Sequence, residues 1–98
     1  MSVIENIMNI PAEHEKNVFG SFDGNIKKIE RTLHVTVIAR DSQVKIIGSD
    51  VAAKRARSVF EQLIELSKRG NTITEQNVDY ALSLSYDNKE SAIVDLDD

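Results

Sequence analysis

Apolar positions along the chain change period several times, and each change marks an element. Ile4 to Ile10 is rich in isoleucine and methionine with polar residues between. It reads as a strand with Met8 and Ile10 pointing inward. Pro11 ends it; proline is tolerated in the first turn of a helix, so it also opens a short helix to about Phe19. Gly20 stops that helix. Beyond Gly20-Ser21-Phe22-Asp23-Gly24, residues Ile26, Ile29 and Leu33 recur at i, i+3 and i+7, one stripe of a second helix. Lys27, Lys28 and Arg31 lie off the stripe. Asp23 stands at the N-cap position, where its carboxylate can accept from the free amides of the first turn.

Val35-Thr36-Val37-Ile38-Ala39 is alternating and β-branched, which reads as a strand. Arg40-Asp41-Ser42-Gln43 turns the chain, Val44 to Ile47 returns as the second strand of a hairpin, and Gly48 ends it. Ser49 or Asp50 caps the longest helix, which runs to about Lys68 and buries Ala52, Ala56, Val59, Phe60, Leu63 and Leu66. Lys54, Arg55 and Arg57 surround its first turns, and Lys68 and Arg69 complement the dipole at its end before Gly70. A last helix begins at Thr74: with Thr74 as N-cap, Ile73 and Val78 hold the two positions of a hydrophobic staple, and Val78, Ala81 and Leu82 face the core. The order is β-α-α-β-β-α plus one extra C-terminal helix. It implies an α+β fold, a three-stranded sheet with helices on one face.

Composition narrows the class. The 98 residues suffice for one domain with a modest core. Without cysteine there are no disulfides or thiolate-metal sites, which fits a reducing compartment. No apolar run is long enough to span a membrane and no secretory signal opens the chain, so a cytoplasmic location is expected. The net charge of −4 hides a strong asymmetry. Residues 16–69 hold 11 basic and 6 acidic side chains, a net of +5, while the two ends hold 1 and 10, a net of −9. The middle of the chain is therefore a candidate for phosphate contact, the alternative being ordinary solvated helix faces.

The run Gly20-Ser21-Phe22-Asp23-Gly24-Asn25-Ile26-Lys27-Lys28-Ile29 resembles the G-x-x-G-x-x-I-K-x-I run of KH domains of type I order. There the loop between the first two helices clamps a nucleotide backbone. The loop's second glycine position is held by Asp23, with a glycine one residue later at Gly24. A carboxylate thus stands where a phosphate would lie. A broader resemblance rests on Ile10-Pro11, Phe19-Gly20-x-Phe22-Asp23-x-Asn25-Ile26-Lys27-x-Ile29-Glu30, Val44 to Gly48, Lys68-Arg69-Gly70 and Ile73-Thr74-x-x-x-Val78. In order and spacing these are similar to the N-terminal KH-like domain of PhoH-like (phosphate-starvation-inducible) P-loop ATPases.

That resemblance implies a KH-like domain over 1–86 and an acidic linker or tail over 87–98 leading to an ATPase domain. ATP and Mg would be cofactors of that absent domain, with none in this chain. It also implies single-stranded RNA and the ATPase domain of the same chain as partners, with a homo-oligomer as a further possibility and no membrane. The candidate nucleic-acid-binding residues are Gly20, Ser21, Phe22, Asp23, Gly24, Lys27, Lys28 and Arg31. The alternative is a degenerate KH-like module for protein interaction or oligomerisation that packs on the ATPase domain.

Catalytic and metal chemistry find no pattern here. The four glycines, Gly20, Gly24, Gly48 and Gly70, do not form a P-loop. His14 and His34 lack zinc-ligand spacing. Ser21 has no nucleophile-elbow context. Glu13 and Glu15 sit in a first helical turn, where the dipole favours them. No enzyme activity is expected of this chain.

Overall fold

A computed structural model describes residues 3–87. Strand β1 (Ile4–Asn9) leads through Pro11 into helix α1 (Ala12–Phe19). A tight turn over Ser21–Asp23 joins it to helix α2 (Gly24–Leu33). Strands β2 (Thr36–Arg40) and β3 (Gln43–Gly48) form the hairpin, followed by the long helix α3 (Asp50–Lys68) and helix α4 (Glu75–Asp87). Helix α4 extends one residue past the boundary expected at 86. The rest of the expected tail lies outside the described residues.

The sheet is antiparallel, in the order β1-β3-β2. Met8 pairs with Val44, and Val37 pairs with Ile46. Because side chains alternate across a strand, these four share one face. That face meets Ile29 of α2 and Ala53, Ala56, Val59, Phe60 and Leu63 of α3 in a single buried cluster. The face is closed at one end by Gly48, where a Cβ would stand 2.9 Å from Cγ1 of Val35.

The long helix is capped by Ser49, whose Oγ accepts from the Ala52 amide at 3.2 Å. Its buried stripe falls slightly to one side of the expected one. Ala53, Ile64 and Ser67 are buried, while Ala52 and Leu66 are only half-buried. Both α1 and α4 pack against α3 in addition to the sheet, which widens the covered arc beyond a single stripe. The last helix starts as expected, on a reciprocal cap. Oγ1 of Thr74 accepts from the Asn77 amide at 3.2 Å, and Oδ1 of Asn77 accepts from the Thr74 amide at 2.9 Å. Ile73 packs on the core and Val78 is fully buried, completing the staple.

A polar knot fixes α1 to the α3–α4 connection. Oδ1 of Asn17 accepts from the Ile73 amide at 2.9 Å. Nδ2 of Asn17 lies 2.8 Å from both the Asn71 carbonyl and Oγ of Ser67. Nδ1 of His14 is 2.7 Å from the same Ser67 hydroxyl. Ser67 is buried, so these partners satisfy a group that would otherwise be costly inside. The result is a stiff frame on which the α1–α2 loop is mounted.

Candidate nucleic-acid interface

The loop after α1 is built by backbone conformations that few sequences tolerate. Gly20 has φ 81° and ψ 174°, a region open essentially to glycine alone. A Cβ there would also meet the side chain of Asn25 at 2.9 Å. Asn25 in turn donates from Nδ2 to the Val18 carbonyl at 2.9 Å, tying the start of α2 to the end of α1. Phe22 (φ 52°) and Asp23 (φ 58°) are both left-handed, and the Asp23 amide donates to the Gly20 carbonyl at 3.1 Å. A bulky residue in this region is an outlier. Phe22 is such an outlier, and with Asp23, a residue type that adopts this conformation more readily, it makes a tip whose shape is imposed by its anchors at Gly20 and Asn25.

Phe22 is 94% exposed at that tip. A shallow hollow beside it is lined by Glu15, Lys16, Phe19, Phe22 and Asp23, among others. Ser21 is exposed next to it. Asp23 does occupy the N-cap position of α2, but its side chain makes no capping hydrogen bond, contrary to the expectation from its type. The left-handed backbone at Asp23 differs from the extended conformation of an ordinary N-cap, from which the side chain reaches back to the first turn. Its carboxylate is instead exposed at the loop. Gly24 is an ordinary first helical residue, φ −58°, with open space where a Cβ would stand. Neither conformation nor crowding requires glycine there.

The three candidate cations of α2 do not stay together. Lys27 and Arg31 are exposed, one helical turn apart, and make no ion pair among the described residues. They line a shallow depression with Glu30 and Val35, between α2 and the residue that leads into the edge strand β2. Lys28 points elsewhere. Its Nζ lies 3.0 Å from Oε2 of Glu75 and also pairs with Asp79, both on α4. Hydrogen bonds to Asp79 and Glu75 raise its pKa above the ordinary lysine value. Among the candidates Lys28 is the one with acidic partners, and it links α2 to α4.

Glu30 was not among the candidates. Oε2 of Glu30 accepts from the Val37 amide at 2.8 Å, satisfying a donor on the outer edge of the sheet. An unpaired edge invites another strand, and this carboxylate covers part of it. No local signal marks Glu30 for this role, because its partner is seven residues away on a strand whose position depends on the fold.

Together these features describe an α+β domain consistent with a KH-like fold, with an aromatic-tipped loop and two unpaired cations on the helix that follows. No family model matches the chain. Over 73 residues it is 27% identical to a PhoH-like protein of Bacillus subtilis (strain 168), which supports a PhoH-like relationship. The match covers 74% of this chain and 23% of that protein, so this chain corresponds to a part of its relative. In three dimensions it is similar to a crystal structure of a protein of unknown function from Aeropyrum pernix. The TM-score is 0.67 at 16% identity, over 96% of this chain and 52% of that one. At that identity the likeness concerns the fold alone. No helix among the described residues is long and apolar enough to cross a membrane.

Proposed function

We propose that this chain is a non-catalytic accessory domain of a PhoH-like, ATP-binding cytoplasmic protein, and that it binds single-stranded RNA. The observation that carries the reading is the loop tip. Phe22 is held 94% exposed by a conformationally constrained turn, and the helix that follows exposes Lys27 and Arg31, which make no ion pair among the described residues. A base can stack on an exposed aromatic ring, and the two cations can follow the phosphates. Such a site binds RNA weakly and with little base discrimination, as a feeder for an attached ATPase domain.

One feature favours a second reading. The Asp23 carboxylate is exposed in the loop, where it repels phosphate. A loop of this kind also suits a protein partner that buries Phe22, which is the degenerate-module alternative. Titrating a fluorescently labelled single-stranded RNA with the domain separates the two. The RNA reading predicts saturable binding that weakens at least several-fold in Phe22→Ala and falls as salt rises. Absence of binding at low salt leaves the protein-docking reading standing.

A further inference from the structure

The two edges of the sheet are not equivalent. The Ile10 amide donates to the Ser42 carbonyl at 2.9 Å, continuing the β1–β3 ladder past Asn9. Backbone hydrogen-bonding direction alternates along a strand. The amides and carbonyls of Asn6 and Met8 therefore face β3, and those of Glu5, Ile7 and Asn9 face outward. The same alternation, carried through β3, turns Val37 and Ala39 of β2 outward. The Val37 amide does meet a group outside the sheet, the Glu30 carboxylate, so the β2 edge is partly blocked. On β1 no hydrogen bond reaches the three outward residues' backbone among the described residues. Nor does the strand carry the lysine, proline or bulge that commonly guards an edge.

We propose that β1 pairs with β1 of a second copy of the chain, antiparallel and centred on Ile7, joining two three-stranded sheets into one across a two-fold axis. This register engages all three outward residues of the strand. Ile7 meets Ile7 at the axis, and Glu5 meets Asn9 of the other copy, each pair exchanging two backbone hydrogen bonds. The side chains agree with it. Ile7 is 51% exposed on the face away from the helices, and two such groups in contact at the axis leave water. Oδ1 of Asn9 lies 3.5 Å from Nε2 of Gln43, which leaves Nδ2 of Asn9 to donate to the Glu5 carboxylate of the other copy. Like charges stay apart. Glu5 is the one charge on the strand, and about 13 Å of strand separates it from its equivalent. Lys45 is one strand further in, about 14 Å from its own equivalent across three strand spacings. Arg40 and Asp41 lie beyond β3 from the axis. On the helical face Arg57 is held by Glu61 and Asn6 of its own copy, at 3.1 Å each. Glu30 places α2 beside the opposite edge, so the pairing leaves Lys27 and Arg31 open and does not rest on the RNA reading.

Sedimentation equilibrium of the full 98-residue chain should show a dimer forming as concentration rises. Amide hydrogen exchange in the same samples should slow at Glu5, Ile7 and Asn9 and stay unchanged at Ala39. Ile7→Pro deletes the two central amides, a change that an edge strand tolerates. It should raise the dimer dissociation constant by roughly tenfold or more, since two backbone hydrogen bonds are lost. Ile7→Lys, which brings two charges together at the axis, should act in the same direction, while Ile38→Lys on the β2 edge should leave the dimer intact. A single-copy mass at every soluble concentration overturns the proposal. So does a dimer that both Ile7 variants leave intact, or one that protects Ala39 instead of β1.

Discussion

Two sides of α2 carry the same kind of residue and do different things. Lys27 and Arg31 are exposed on the helix that follows the Phe22 loop, without an ion partner among the described residues. Lys28, one position from Lys27, is turned by about 100° around the helix and closes on Glu75 and Asp79 of α4. Charge count alone makes the helix one basic patch. The geometry divides it into an open pair, available to a ligand, and a structural tie that holds α4 in place. The same division appears at Glu30, whose carboxylate faces the open pair yet is occupied by the β2 edge.

The comparison breaks most completely if the helix loses its seat. Ile29 is fully buried under α2, so Ile29→Ala should cost about 2–5 kcal/mol. Urea denaturation should show the loss, with both sides of the helix disabled together. Gly20→Ala attacks the loop alone. Strain in a glycine-only conformation should lower stability by about 1–3 kcal/mol, seen as a reduced melting temperature, and should reorient Phe22.

Asp23→Gly sharpens the comparison in the opposite direction. It removes a left-handed aspartate and an exposed negative charge, so stability should hold or rise by up to about 1 kcal/mol. On the RNA reading, affinity should increase at low salt. The smallest effect is that of Lys28→Met. Because the folded pKa of Lys28 is raised, its contribution is fully present below the ordinary lysine pKa and is lost as pH climbs through the folded value. The melting-temperature difference from the parent protein should therefore stay constant through neutral pH and close only in strong alkali.

Much of the fold was legible because periodicity, punctuation and capping agreed at each step. The Ile26-Ile29-Leu33 stripe and the Thr74 staple appear where pattern placed them, and of the two residues offered as cap of the long helix it is Ser49 that serves. The site was legible only in part. Phe22 was among the candidate residues of the loop, and the structure exposes it. Asp23 holds the expected N-cap position, but its capping hydrogen bond is absent because residue type does not report backbone conformation, and here the left-handed turn takes precedence. The fate of Lys28 was hidden because its partners lie 47 and 51 residues away, on a helix whose docking no local pattern encodes. Glu30 and the knot of His14, Asn17 and Ser67 were hidden for the same reason.

The most direct test of the division of α2 is the salt dependence of single-stranded RNA binding in two variants, read by fluorescence anisotropy. Neutralising the open pair with Lys27→Ala and Arg31→Ala should weaken binding and flatten the log–log salt slope by about 1.4, since each lost phosphate contact on a single strand removes about 0.7. Lys28→Ala should leave that slope unchanged. If Lys28→Ala flattens the slope as much as the double variant, or if neither changes it, the division of α2 into a ligand-facing pair and a structural tie is wrong.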